Sequence, residues 1–333
     1  MSTMKHIRIA FLGIAVALTF TAMVSAQQFG DWGIPVNAES IPGTSSEFNT
    51  AFNDGCPCQS PDGLSFYTAS NRPGGMGGQD IWRASRNSTN ERFGAFVNLP
   101  APINSTADDF CPTPVLGGGL YFVTSRAGGF GGGDIYFSLE EGGGWSEPQN
   151  LGSQINSPAG EASPSYFEAE DGNSYLYYSS NREGGFEPGG TDSDIYFSVN
   201  SGMAQLAPGL NTASEDLRPN VRQDGREIVF DSDRAGGLGG FDIWTANRDG
   251  IGDDWQTPFN LMLLNSAANE TRASLSGDAL TLVFGSNRPG SEGQADIYVT
   301  TRVPEPSGFG LLGLAAVTAL LRRGRSKRDV THG

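Results

Sequence analysis

Asp231-Ser232-Asp233-Arg234-Ala235-Gly236-Gly237-Leu238-Gly239-Gly240-Phe241-Asp242-Ile243-Trp244 reads as a strand end, a glycine-rich turn and a second strand opened by an aspartate. The same unit recurs from Ser70-Asn71-Arg72 to Trp82, Thr124-Ser125-Arg126 to Tyr136, Ser180-Asn181-Arg182 to Tyr196 and Ser286-Asn287-Arg288 to Tyr298. The Arg and Asp stand eight apart in four copies, Arg72/Asp80, Arg126/Asp134, Arg234/Asp242 and Arg288/Asp296. In Arg182/Asp194 they stand twelve apart. Five hairpins at a period of roughly 50 residues are the mark of a repeat architecture, and a period of that size fits propeller blades.

Each repeat carries four strand signals. In the second, Cys111 to Leu116 is a first strand and Leu120-Tyr121-Phe122-Val123-Thr124, rich in β-branched and aromatic residues, is a second. Asp134-Ile135-Tyr136-Phe137-Ser138 is the third, and Trp145-Ser146-Glu147-Pro148-Gln149-Asn150-Leu151 marks an outer strand. Proline belongs at such an edge, because its missing N–H cannot serve a central ladder. The outer signature recurs at Trp255 to Leu261, at Phe93 to Leu99 and, degraded, around Met203 to Leu206. It is missing after the fifth hairpin and present at the front, as Trp32-Gly33-Ile34-Pro35-Val36-Asn37. The expected fold is therefore all-β: a five-bladed β-propeller closed by an N-terminal strand that completes the last blade. Such closure removes exposed sheet edges.

Composition agrees. The chain has 47 Gly and 19 Pro, material for many short strands and tight turns. Residues 27–303 hold no Lys and 14 Arg against 35 Asp plus Glu, a formal charge of −21. That field repels nucleic acid and anionic membrane and favours cations or basic partners. Both histidines, His6 and His332, fall in terminal segments. The folded part has none, which excludes Ser-His-Asp or Cys-His catalysis and His-ligated zinc or iron.

Residues 1–26 read as a secretory signal peptide: Lys5 and Arg8, an apolar stretch from Ile9 to Val24, and a Val24-Ser25-Ala26 cleavage site. At the other end Val303-Pro304-Glu305-Pro306 leads into an apolar run, residues 308–321, and a basic tail, residues 322–328. Fourteen residues as a helix span about 21 Å, short of a hydrocarbon core unless flanking arginines extend the reach. The order of these parts resembles the PEP-CTERM sorting signal over residues 303–333. That resemblance implies a Gram-negative-type host whose exosortase, a sorting protease, acts near Pro304, Glu305 and Pro306 to deliver the protein to the cell surface or extracellular matrix. The alternative is an ordinary tail anchor.

Between these ends, Asp-Gly before a strand (Asp62-Gly63, Asp224-Gly225), then Ser-Asn-Arg, then Asp-Ile-Trp or Asp-Ile-Tyr, resembles the WD40-like propeller repeats of the TolB type over residues 27–302. Five copies depart from the six usual in TolB, so its particular partners do not carry over.

Several constellations bear on function. Asp54, Asp109, Glu161 and Asp216 each stand three residues before a proline, and Glu270 stands three before Ala273. Facing the axis, these five would ring one mouth of the propeller, where they would bind a ligand or cation, or two would work as a glycosidase pair roughly 5–9.5 Å apart. The favoured alternative is that they cap turns or meet the repeated arginines. The hairpin Asp residues are read as acceptors of turn amides or as arginine partners. The longer loop from Glu183 to Asp194, with Glu187 and Asp192, is a candidate for Ca²⁺. No other cofactor or metal is expected. Only the first two repeats have cysteine, as Cys56-Pro57-Cys58 and Cys111-Pro112, and Cys56–Cys111 is the preferred disulfide pair. The alternative is three free thiols. Trp32, Trp82, Trp145, Trp244 and Trp255 recur at strand positions that fit packing between blades.

The expectation is an exported, surface- or matrix-associated, non-enzymatic binding, adhesion or scaffold module for a surface polysaccharide or envelope protein. It would touch the membrane only through the C-terminal segment. The alternative is a glycan-active enzyme, a propeller glycosidase with two or three carboxylates in unequal environments at the central funnel.

Overall fold

Closure is made by the N-terminal strand. Val36–Asn37 lies antiparallel on Asp296–Thr301, with Val36 opposite Val299 and Asn37 opposite Tyr298. The computed structural model describes residues 29–40, 47–187 and 189–304. The expected signal peptide, residues 1–26, and the expected sorting signal from Glu305 onward lie outside the described residues. Among those described, no helix is long and apolar enough to cross a membrane.

Five antiparallel sheets form the blades. From the inner to the outer strand, blade 1 is Asp54–Gln59, Ser65–Ser70, Asp80–Ser85 and Val97–Asn98. Blade 2 is Asp109–Val115, Gly119–Thr124, Asp134–Glu141 and Gln149–Asn150, with Gly144–Trp145 added at the end of its third strand. Blade 3 is Glu161–Glu168, Ser174–Ser180, Asp194–Val199 and Gln205–Leu206. Blade 4 is Asp216–Val221, Glu227–Ser232, Asp242–Asn247 and Phe259–Asn260. Blade 5 is Glu270–Leu275, Thr281–Ser286 and Asp296–Thr301, finished by Val36–Asn37. Inner strands touch their neighbours all the way round, blade 5 meeting blade 1.

The hydrophobic core is divided into five, one part between each pair of neighbouring blades. Ile81, Leu120 and Phe122 fill the gap between blades 1 and 2, and Phe167, Ile195 and Phe230 that between blades 3 and 4. Each is fully buried, which stabilises by about 1.5–3 kcal/mol per side chain relative to exposure. Four of the tryptophans, Trp32, Trp82, Trp244 and Trp255, are buried in these seams as expected, and Trp145 packs against one.

The seam between blades 4 and 5 also receives the chain entry. Arg302 forks onto Glu227 at 2.8 and 2.6 Å, and its guanidinium lies 4.0 Å from the Phe29 ring and 4.2 Å from the Trp32 ring. Gly33 N–H donates to the Thr301 carbonyl at 2.9 Å, and Gly30 N–H to that of Val303 at 2.9 Å. An aromatic sandwich around a bidentate ion pair fastens the ring.

Candidate functional site

The five acidic residues do not face the axis. Asp54, Asp109, Asp216 and Glu270 are fully buried and Glu161 is 1% exposed; each opens its inner strand rather than preceding it. Each accepts from the backbone N–H and hydroxyl of a Thr or Ser four residues earlier: Thr50, Ser105, Ser157, Thr212 and Ser266. Each also pairs with the arginine of its own blade, Arg72 at 2.6 Å, Arg126 at 2.8 Å, Arg182 at 3.0 Å, Arg288 at 3.1 Å, and Arg234. The arginine lies between two aromatic rings of its blade, as Arg126 does between Phe122 and Tyr136 and Arg288 between Phe284 and Tyr298. These carboxylates are consumed by structure. They cap turns and pair with the repeated arginines, the alternative favoured in the sequence, and so anchor a five-fold scaffold.

The hairpin aspartates have a separate task. Asp80 accepts from the N–H groups of Met76 and Gly77, Asp134 from Phe130, Asp194 from Phe186, Asp242 from Leu238, and Asp296 from Glu292. They serve turn amides and not the arginines. The turn needs its first glycine, since φ is +99° at Gly74, +97° at Gly128 and +100° at Gly236. A Cβ at the second would stand 1.8 Å from Asp80 Oδ2 at Gly75 and 1.7 Å from Asp134 Oδ2 at Gly129.

The axis itself is lined by residues of which the sequence reading singled out only the cysteines. Every inner strand carries a β-bulge two residues after its acid, and the bulged residue adopts positive φ: Cys56 (50°), Cys111 (48°), Ser163 (52°), Arg218 (53°) and Arg272 (57°). A bulge re-aims a side chain, and non-glycine residues hold this conformation only where surroundings fix it. All five side chains line one cavity of about 40 Å³ with contributions from every blade. The next level along the axis, lined by Cys58, Thr113, Ser165, Asn220 and Ser274, holds about 30 Å³. No Asp or Glu lines either cavity. Small-molecule pockets are roughly ten times larger.

The bulge ring is chemically unequal. Arg218 Nη1 donates to Asp231 Oδ2, and Arg272 N–H donates to Asp231 Oδ1 at 2.9 Å. Asp231 is fully buried. Burial pushes its carboxyl up, and the two arginines pull it back only in part. The Ser163 hydroxyl donates to Cys111 Sγ at 3.2 Å, and Cys56 and Cys111 lie in one buried cluster. Burial would raise the Cys111 thiol, but the Cys56 hydrogen bond, the Arg272 guanidinium, the Ser163 hydroxyl and the Arg218 guanidinium bring it down to about 6. Cys56 is held high by burial and by the charge next to it. The two shifts belong to the pair: what favours a thiolate at Cys111 disfavours one at Cys56. The preferred Cys56–Cys111 bridge is not formed: all three cysteines are free and buried.

The hairpin face differs in another way. Met76, Phe130, Phe186 and Leu238 stand four residues after the repeated arginine, and are 47, 48, 50 and 47% exposed. Blade 5 has Glu292 there. In the long blade-3 loop, burial foremost, with Asp192, Asp216 and Glu215 adding to it, raises Asp194 to about 6. Asp192 Oδ2 and Asp194 Oδ1 have no hydrogen-bond partner. Among the described residues no group of three or more His, Cys, Asp or Glu is arranged to hold a metal, so Glu187 and Asp192 do not assemble the expected calcium cage.

No protein-family model matches the sequence, and no curated protein does. Among solved structures the chain is similar to a thermostable family-43 glycoside hydrolase, with a TM-score of 0.53 and 15% identity over 78% of this chain and 92% of that one. It is similar to TolB from Acinetobacter baumannii, with a TM-score of 0.48 and 15% identity over 76% of this chain and 56% of that one. It is also similar to an endo-arabinase from Bacteroides thetaiotaomicron, with a TM-score of 0.46 and 16% identity over 79% of this chain and 99% of that one. This chain spans little more than half of the Acinetobacter TolB. Likeness to the hydrolase at 15% identity shows a shared propeller fold and says nothing of activity.

Proposed function

We propose that the chain is an exported, non-enzymatic recognition module, brought to the cell surface or matrix by an exosortase acting near Pro304, Glu305 and Pro306. Its hairpin face binds an envelope protein that offers basic and apolar side chains. The observation that carries this reading is the set Met76, Phe130, Phe186 and Leu238, large apolar side chains exposed at one equivalent position in four blades. They rise from a domain with 14 Arg and 35 Asp plus Glu, whose field attracts basic partners. Apolar anchors inside a charged surround are the composition of a protein-binding patch.

The hydrolase alternative needs two carboxylates of unequal pKa facing a sugar-sized funnel. The axial cavities hold no carboxylate and no room for a sugar ring, which weighs against it. The test pairs two assays on the exported chain. Binding to host envelope protein should fall at least tenfold when the four tip residues become Ser. Capture of polysaccharide instead of protein would move the partner to a glycan. Hydrolysis of a panel of plant and microbial polysaccharides above the buffer rate would overturn the non-enzymatic reading.

A further inference from the structure

The bulge ring places two cysteines at matching positions of neighbouring, contacting inner strands, on the wall of one water-sized axial cavity. The repeat scaffold does not require them there, because the same position is Ser163 in blade 3 and Arg218 and Arg272 in blades 4 and 5. Two arginines converge on this level of the axis, and Asp231 answers one of the two positive charges. The other, Arg272, acts on Cys111 through its charge and favours the thiolate there. Blade 1 makes room for that guanidinium with Gly55, where a Cβ would stand 2.8 Å from Arg272 Nη1. The corresponding residues elsewhere are Phe110, Ala162, Leu217 and Thr271.

We propose that Cys56 and Cys111 form a reactive dithiol that takes a small peroxide as oxidant and closes into a disulfide between blades 1 and 2. Cys111 is the attacking sulfur and Cys56 the resolving one. In the first step the Cys111 thiolate attacks one peroxide oxygen. An S–O bond forms, the O–O bond breaks, and the leaving oxygen takes a proton to become water or an alcohol. In the second step Cys56, having given up its proton, attacks the Cys111 sulfenic sulfur. The S–S bond forms and the S–O bond breaks, and hydroxide leaves and is protonated to water. Two thiols and one peroxide become one disulfide, one water and one water or alcohol. The two sulfurs together lose the two electrons that the O–O bond gains.

The surroundings fit these roles. Arg272, Arg218 and the Ser163 hydroxyl stabilise the sulfur anion, as the positive surroundings of low-pKa cysteines do elsewhere. The groups around Cys111 are Cys56 and Cys58 from blade 1, Ser163 from blade 3, Arg218 with Asp231 from blade 4, and Arg272 from blade 5. A cavity of about 40 Å³ admits hydrogen peroxide and excludes a tripeptide disulfide. Cys58 also reaches this cavity, but its Sγ donates to the Pro112 carbonyl at 3.0 Å, and burial foremost, with the charge at Cys111, pushes its thiol up.

The test uses the whole chain, reduced and freed of reductant, treated with hydrogen peroxide and then alkylated under denaturing conditions for peptide mass spectrometry. The expected result is a Cys56–Cys111 cross-linked peptide with Cys58 alkylated, formed at least tenfold faster than with oxidised glutathione. A chain isolated with this bridge already closed supports the proposal equally. In Cys56→Ser, a sulfenic acid should accumulate at Cys111 and be trapped by dimedone; in Cys111→Ser, no bridge should form. Arg272→Met should slow the wild-type reaction about tenfold at pH 7 and move its pH midpoint upward. Three alkylated thiols after peroxide, a bridge through Cys58, or sulfenic acid at Cys56 in place of Cys111 would each overturn it.

Discussion

Two rings of five run round this propeller, two residues apart along the inner strands. One repeats and the other does not. The outer ring, Asp54, Asp109, Glu161, Asp216 and Glu270 with their arginines, keeps the same partners in every blade. Two residues further along each strand, the bulge ring reads Cys, Cys, Ser, Arg, Arg. The first holds each blade's strands to the loop that enters it, a task all five share. Side chains on the axis meet one another across the blades, so chemistry there is free to differ from strand to strand. In a repeat protein, sameness marks scaffold and difference marks the place to look for chemistry.

The largest way to break this comparison is in the outer ring. Asp216→Ala strands a buried guanidinium and should cost about 3–5 kcal/mol in urea unfolding. Asp109→Ala should do the same, since the sites are equivalent. Ser163→Ala in the bulge ring should cost about 1 kcal/mol, the worth of one hydrogen bond. Equal losses in both rings would erase the distinction. The closure comes next: Trp32→Ala should cost about 3 kcal/mol, read by thermal unfolding, because it empties a buried seam and uncovers Arg302.

A pH experiment sharpens the contrast from the other side. Cys111 is depressed in the fold from 9.0 to about 6, so the folded state prefers the thiolate. The stability this gives is complete above the unfolded value near pH 9 and is lost as pH falls through about 6. Stability should therefore rise between pH 6 and 9, and the rise should vanish in Cys111→Ser. The folded region has no histidine to mimic it. The smallest effect belongs to the hairpin tips: Phe130→Ser should change stability by less than about 0.5 kcal/mol. A larger loss would mean the tip is packing instead of presenting a surface.

Blade number, strand order and closure were legible in the sequence because they rest on recurrence. The missing outer strand after Tyr298 and its spare copy at Trp32 left one solution, and Val36–Asn37 occupies it. The axial chemistry was not legible, and the bulge is the reason. In a regular strand residues i and i+2 share a face, so Asp54 and Cys56 would point the same way. The register slips between Gly55 and Cys58, and at the matching place in each blade, which sends the acids to the arginines and the next-but-one residues to the axis. Alternation cannot be counted through such a slip. A trace was present even so: Cys56 and Cys111 each precede a proline, and the same offset in the later repeats lands on Ser163, Arg218 and, before Ala273, Arg272. Asp231 had no comparable trace, because its role depends on a contact between blades.

The seam that joins the two ends has a mechanical meaning. Phe29 and Pro304 are bridge partners, so the chain enters and leaves the propeller at one spot. Tension applied beyond Pro304 reaches the Thr301 and Val303 carbonyls bonded to Gly33 and Gly30 before it reaches any other blade. Arg302, clamped on Glu227 of the neighbouring sheet, is the rivet that such a pull must shear. Under flow or tugging, this ring would fail by unzipping at its own join while the remaining four sheets stayed whole.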